Sequence, residues 1–245
     1  MIRKLCSAGV IALLALASFG CAPEEEEVAK DDKTDESTEV APTGPILLDD
    51  FQPSGLPIKL APDDGDEVAI MTTDRGVIVL MFHPEVAPDH VANFKNLSRI
   101  GFYDGVRFHR VIPGFMIQGG DPNSKDLNLA ATWGMGDHVN EDGRRVMVAG
   151  EFSAVKHERG ILSMARGDLP NSASCQFFIM HGDAPFLDDP NGHYSVFGRV
   201  VTGMDVVDEI VMIPTYDPRA ESAYPDQAAV IESIEIVVWP IEDSD

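Results

Sequence analysis

The chain has 245 residues, with 18 Lys+Arg against 41 Asp+Glu and a formal net charge of -23. That balance excludes recognition of a phosphate backbone, which needs a basic stripe, so no nucleic-acid partner is expected. A hydrophobic content of 44% excludes wholesale disorder and can build one large domain or two small ones.

Residues 1–20 read as an export signal: Arg3-Lys4, an apolar stretch over residues 5–19, then small residues. The stretch is too short for a helix that spans a bilayer, which needs about 20 residues. It ends Ala17-Ser18-Phe19-Gly20-Cys21, and a cysteine after a small residue resembles a bacterial lipoprotein lipobox, with Ser18 where an aliphatic residue is usual. The resemblance implies acylation of Cys21, and several acyl chains anchor a protein stably where one is marginal. The expected location is then the cell envelope, lipid-anchored at a periplasmic or outer-membrane face. The alternative is a soluble periplasmic or secreted protein in which Cys21 is incidental.

Residues 21–62 form a tether. Residues 24–39 hold nine acids against two lysines, a net −7, and Pro, Gly and Asp recur through residues 40–62. Such a segment buries too little apolar surface to offset its ordering entropy. Of the three cysteines, Cys6 leaves with the signal and Cys21 is acylated, so Cys175 stands alone in an apolar run, as a small core residue.

From residue 63 to 240 the pattern is that of a folded domain, followed by an acidic tail, residues 241–245. Residues 67–73 and 77–82 flank Asp74-Arg75-Gly76, a hairpin signal. A helix follows Pro88, with Val91, Phe94 and Leu97 on one face and Gly101 as its stop. Apolar runs at 106–112, 115–118, 146–148, 160–165, 176–180 and 195–200 read as strands, residues 203–212 as a second helix, and 229–239 as a last strand. Many strands with two helices predict a mainly β fold, a closed barrel capped at its ends.

Common catalytic motifs are absent: no Gly-x-Ser-x-Gly elbow, no His-Glu-x-x-His, no Walker loop. The acidic loops Asp121-x-Asn123-x-x-Asp126-x-Asn128 and 188–192 lack the EF-hand order, and turn chemistry accounts for them, so no metal is expected.

One long stretch remains: Gly101-Phe102-Tyr103-Asp104-Gly105-Val106-Arg107-Phe108-His109-Arg110-Val111-Ile112-Pro113-Gly114-Phe115-Met116-Ile117-Gln118-Gly119-Gly120-Asp121. With Gly160-Ile161-Leu162-Ser163-Met164-Ala165-Arg166, Asn171-Ser172-Ala173-Ser174-Cys175-Gln176-Phe177-Phe178-Ile179-Met180 and Val196-Phe197-Gly198-Arg199-Val200, it resembles the cyclophilin family of peptidyl-prolyl cis–trans isomerases. The resemblance runs over about residues 66–239. Strand alternation puts Met116 and Gln118 on one face, with Phe115 and Ile117 on the other unless the Pro113-Gly114 turn rotates the start; Phe178 and Met180 oppose Phe177 and Ile179.

The resemblance implies a closed eight-stranded antiparallel β-barrel capped by two helices, a monomer, and isomerisation of X–Pro bonds in proline-containing peptides and in unfolded or exported proteins, without a cofactor. It makes Arg110 the catalytic side chain and Phe115, Met116, Phe178 and Leu187 the proline pocket. Gln118, Ala165 and Gln176 border that pocket and hold the peptide backbone. Arg166, Phe186 and Tyr194 complete the substrate-binding set at positions that depart from the common eukaryotic pattern: Phe186 replaces Trp, which predicts weak cyclosporin binding; Tyr194 replaces His; Arg166 replaces Asn. Asp189-Pro190-Asn191 reads as a small insertion, His193 as an exposed loop residue, and residues 121–143 lack the usual Gly/Thr-rich loop. A proline-binding scaffold without useful turnover is the alternative function.

Overall fold

The first two strands form because a run rich in β-branched and apolar residues is interrupted once, by a turn that only glycine closes easily. A computed structural model describes residues 58–188, 193–217 and 221–241. The signal, Cys21, most of the tether, the 189–191 insertion and most of the acidic tail lie outside the described residues. Strands β1 (Glu67–Thr73) and β2 (Gly76–Phe82) pair antiparallel as expected, with Met71 opposite Ile78. The Thr73 hydroxyl closes their turn, donating to Gly76 O at 2.7 Å and accepting from Arg75 N–H at 3.1 Å. Gly76 sits at φ +137°, a region L side chains rarely adopt.

Helix α1 (Pro88–Arg99) starts on a proline whose missing N–H is no loss in a first turn. The Glu151 carboxylate takes up two of that turn's free donors, from Asp89 N–H at 3.0 Å and His90 N–H at 2.9 Å. At its end Gly101, at φ +67°, donates to Ser98 O and Phe102 N–H to Leu97 O, the bond pair of a glycine-terminated helix. The buried face carries Val91, Phe94 and Leu97. Phe94 stands among four aromatic rings: Tyr103, Phe177, Phe197 and Phe82 lie at 5.1, 5.3, 5.4 and 5.8 Å.

The remaining strands are β3 (Arg110–Ile112), β4 (Met116–Gly119), β5 (Ile161–Met164), β6 (Phe177–Met180), β7 (Val196–Thr202), β8 (Thr215–Asp217), β9 (Ser222–Ala223) and β10 (Ile231–Val238). Helix α2 (Met204–Val211) follows β7 and buries Val207, Ile210 and Val211. Three 3-10 turns, Pro122–Lys125, Leu127–Thr132 and Pro185–Asp188, complete the described elements. Asp121 and Asp126 cap the first two, accepting from Asn123 N–H and Asn128 N–H, so turn chemistry employs the acids of that loop.

The expected closed eight-stranded barrel is corrected. Among the described residues, ten strands form one sheet in the order β10-β1-β2-β7-β5-β6-β4-β3-β9-β8, with no strand ladder joining its ends. The expected strand over 106–112 forms a ladder only from Arg110; ahead of it, Arg107 meets Val230 in an isolated bridge. Residues 146–148 likewise form no strand, only a bridge from Val148 to Ala173. β8 and β9 are additions, too short to show as a period in sequence.

Alternation along the central strands separates two apolar clusters. Val111, Ile117, Leu162, Phe177, Ile179 and Phe197 point to the main core with α1 and α2. Met116, Ile161, Phe178, Met180 and Val196, their immediate neighbours, point the other way into a second, smaller cluster. Cys175 is fully buried in the main core, and burial pushes its thiol up to about 12, as a packing residue rather than a nucleophile.

Candidate functional site

The smaller cluster opens outward as a cavity of about 120 Å3 lined by Arg110, Phe115, Met116, Gln118, Ala165, Arg166, Phe178, Leu187 and Tyr194. Its floor is Met116, Phe178 and Leu187, all buried. Met116 and Phe178 arrive there by strand alternation. Phe115 arrives differently: it belongs to the Pro113-Gly114 turn, and its carbonyl accepts from His181 N–H at 2.9 Å, which rotates it to the cavity side. Leu187 comes from the 3-10 turn Pro185–Asp188, anchored by Asp188, whose carboxylate accepts from His157 N–H at 3.0 Å and meets His157 Nδ1 at 2.9 Å.

Arg110 opens β3 directly opposite Gln118 of β4, and Gln118 lies opposite Phe178 of β6. The register therefore lines up the guanidinium, an amide and an aromatic ring across three strands. Arg110 Nη1 donates weakly to Gln118 Oε1 at 3.5 Å, and Nη2 donates to Glu221 Oε2 at 2.7 Å. The Arg110 guanidinium is a planar fork of N–H donors at this mouth.

A second cavity of about 250 Å3 adjoins the first and shares Gln118, Ala165 and Arg166 with it. Gln176 belongs to this second cavity, not to the first. Its side chain joins both: Gln118 Nε2 donates to Gln176 Oε1 at 3.0 Å, and Gln176 Nε2 donates to Gly134 O and Gly136 O at 3.1 and 2.8 Å. Ala165 N–H donates to Gln176 O at 2.9 Å, which fixes the ridge between the cavities.

Residues 68–236 match the family described as cyclophilin type peptidyl-prolyl cis-trans isomerase/CLD. The chain belongs to this family. It is similar to a probable peptidyl-prolyl cis-trans isomerase of Brucella abortus, at 45% identity over 150 residues covering 60% of this chain and 72% of that protein. Peptidyl-prolyl cis-trans isomerase A of Dickeya dadantii is 38% identical over 170 residues, covering 69% of this chain and 83% of that one. Among solved structures, a Cryptosporidium parvum cyclophilin-type isomerase superposes with a TM-score of 0.59 at 30% identity, covering 72% of this chain and 99% of its own.

The remaining sequence-derived positions sit at the rim of this cyclophilin's groove. Phe186 is 61% exposed and outside the cavity lining, its ring 5.2 Å from Phe115. Tyr194 stands edge-on to Phe178 at 5.6 Å, and the Arg166 guanidinium lies 4.9 Å from the Tyr194 ring centre. Arg166 is pinned by its own donors, to His193 O at 2.8 Å and Gly167 O at 2.8 Å. His193, expected as an exposed loop residue, is half-buried and stacked on Phe152 at 5.1 Å.

Two arrangements were not visible in the sequence. Glu221 reaches Arg110 from 111 residues further along the chain, and no local motif marks it. Ser163, His157 and Asp188 line up like a hydrolytic triad, with Ser163 Oγ 3.1 Å from His157 Nε2. Ser163 is fully buried and its Oγ also lies 3.1 Å from Ser195 O, so no substrate carbonyl reaches it; burial also pulls the His157 ring below the usual histidine range. The constellation holds the turn that carries Leu187.

Proposed function

We propose that this cyclophilin seats a substrate proline ring in the cavity of Phe115, Met116, Phe178 and Leu187 and lowers the rotation barrier of the preceding peptide bond through Arg110. The observation that carries the reading is the position of the Arg110 guanidinium in the lining of the same cavity as the buried apolar floor of Met116, Phe178 and Leu187. Supporting it, a Cryptosporidium parvum cyclophilin, 30% identical with a TM-score of 0.58, has a crystal structure in the presence of the dipeptide Ala-Pro.

The chemistry needs no bond cleavage. Amide resonance opposes rotation with a barrier of about 20 kcal/mol, and at the twisted transition state the prolyl nitrogen recovers a localised lone pair. A donor fixed beside that nitrogen bonds the twisted state and not the planar one, and each 1.36 kcal/mol of such preference is worth about tenfold in rate. The apolar floor keeps the ring still while the chain turns. Gln118, Ala165, Gln176, Arg166 and Tyr194 hold the flanking peptide, and Phe186 guards the rim.

In this reading the enzyme acts as a monomer on exported chains as they fold, held to the envelope by acylated Cys21 through an acidic spacer. The basic-apolar-small order of residues 1–20 and the composition of residues 21–62 support it. Mass spectrometry of the mature N-terminus tests the anchor: a thiol mass at Cys21 would remove it. A protease-coupled assay on a proline tetrapeptide tests the enzyme. Arg110→Ala is expected to lose turnover with its thermal transition intact; wild-type turnover in that variant would sink the role given to Arg110.

A further inference from the structure

The Arg110–Glu221 pair joins two independent oddities. First, the guanidinium at the mouth of the proline cavity does not stand alone: Nη2 donates to Glu221 Oε2 at 2.7 Å, while Nη1 is 3.5 Å from Gln118 Oε1. The two partners take the two terminal nitrogens, from the residue just before β9 on one side and from β4 on the other. Second, Glu221 sits at φ +57°, the single left-handed non-glycine residue among those described. A glycine would adopt that conformation without the clash a β-carbon brings, yet the position carries a long acidic side chain.

The backbone explains how the two are connected. Val111 N–H donates to Glu221 O at 3.0 Å, Ser222 lies opposite Arg110 in the β3–β9 pairing, and Ala223 N–H donates to His109 O at 3.0 Å. Residue 221 is thus locked to β3 one step from Arg110. Strain kept at a functional site is informative when the surrounding structure over-determines it.

We infer that Glu221 is a positioning residue for the isomerase reaction: it holds the Arg110 guanidinium in the plane that presents its remaining N–H groups to the prolyl nitrogen. A guanidinium has five donors, and the contacts to Glu221 and Gln118 engage one on each terminal nitrogen. The side chain is 37% exposed, and without a tether its rotamers would be sampled freely. Orientation fixed before the substrate arrives is orientation not charged against the transition state. This inference rests on the reading of Arg110 as the catalytic donor.

The test uses the full-length protein with Glu221→Ala, Glu221→Gln, Arg110→Ala and the double variant Glu221→Ala/Arg110→Ala, each read by proline-tetrapeptide turnover and by thermal unfolding. Glu221→Ala is expected to lower kcat by about fivefold with KM unmoved, as loss of a partly exposed charge-assisted bond predicts. Glu221→Gln, which keeps an acceptor, is expected to recover most of that loss, and the double variant to be no worse than Arg110→Ala alone. Unchanged turnover in Glu221→Ala beside an inactive Arg110→Ala would overturn the role of Glu221 and leave that of Arg110 standing. Increased turnover in both Glu221 variants would overturn it too, since the carboxylate would then be muting the donor. Active Arg110→Ala would remove both. Where Glu221→Ala unfolds, Glu221→Asp, whose carboxylate is one methylene short of Arg110, decides by the same readouts: a kcat several-fold below wild type with KM unmoved supports the inference, and wild-type kcat overturns it.

Discussion

Gln118 Nε2 donates to Gln176 Oε1 at 3.0 Å, and this one bond couples the two cavities of the groove. Gln118 stands in both cavities and opposite Arg110, whereas Gln176 stands only in the second and spends its own amide on Gly134 O and Gly136 O. Removing Gln118 therefore takes away a contact to Arg110 and the bond to Gln176, while removing Gln176 loosens the 134–136 loop. Gln118→Ala is expected to lower kcat/KM by about tenfold, since it loses one full bond, worth about 1 kcal/mol or roughly fivefold, and one weak one, and Gln176→Ala by less. The reverse order in a tetrapeptide assay would show that the second cavity, not the Arg110 mouth, limits turnover.

Arg110→Lys separates charge from shape. A lysine keeps the positive charge but is a point donor on a flexible stem, unable to bond Gln118 and Glu221 at once and still offer a donor to substrate. Turnover is expected to fall by about a hundredfold, the scale seen when one fixed transition-state donor is lost. Thermal unfolding should stay within a few degrees, because the guanidinium is more than one-third exposed. A lysine variant with half of wild-type turnover would mean that charge alone suffices.

The parts of the groove that were legible in sequence are those that a strand's period carries. Met116 beside Ile117, and Phe178 beside Phe177, alternate between the cavity and the core as the pattern predicts. The hairpin at Gly76 and the stop at Gly101 were legible because each needs a left-handed glycine. Phe115 was not settled by period, since its direction is set by the turn and by His181 N–H. Glu221 was invisible because it acts through a pairing of β9 with β3 that has no local signature, and the ten-strand order departs from the expected barrel for the same reason: short strands are made by their partners.

Phe94 carries the aromatic core and lines neither cavity. Phe94→Ala is expected to cost about 3–5 kcal/mol, the range for emptying a well-packed aromatic site. A urea titration should show a lower midpoint with the slope retained, and turnover per folded molecule should be close to wild type. A loss below about 1 kcal/mol would mean that the four surrounding rings collapse into the space.

Acid should unfold this domain earlier than its carboxylates alone would require. His83, His90, His109 and His157 are all buried, and burial lowers each ring's pKa below the usual histidine value; for His109 it falls from 6.5 to about 4, with the Asp121 carboxylate only partly opposing. The folded protein therefore keeps these rings neutral where the unfolded chain takes up protons. Their contribution to stability is complete above about pH 6.5 and is lost progressively as the pH falls through that value towards the folded pKa. Urea unfolding at pH 7.5, 6.0 and 5.0 should show a midpoint that falls at each step. His109→Leu should flatten the acid limb, while a midpoint independent of pH across that range would contradict the neutral-core account.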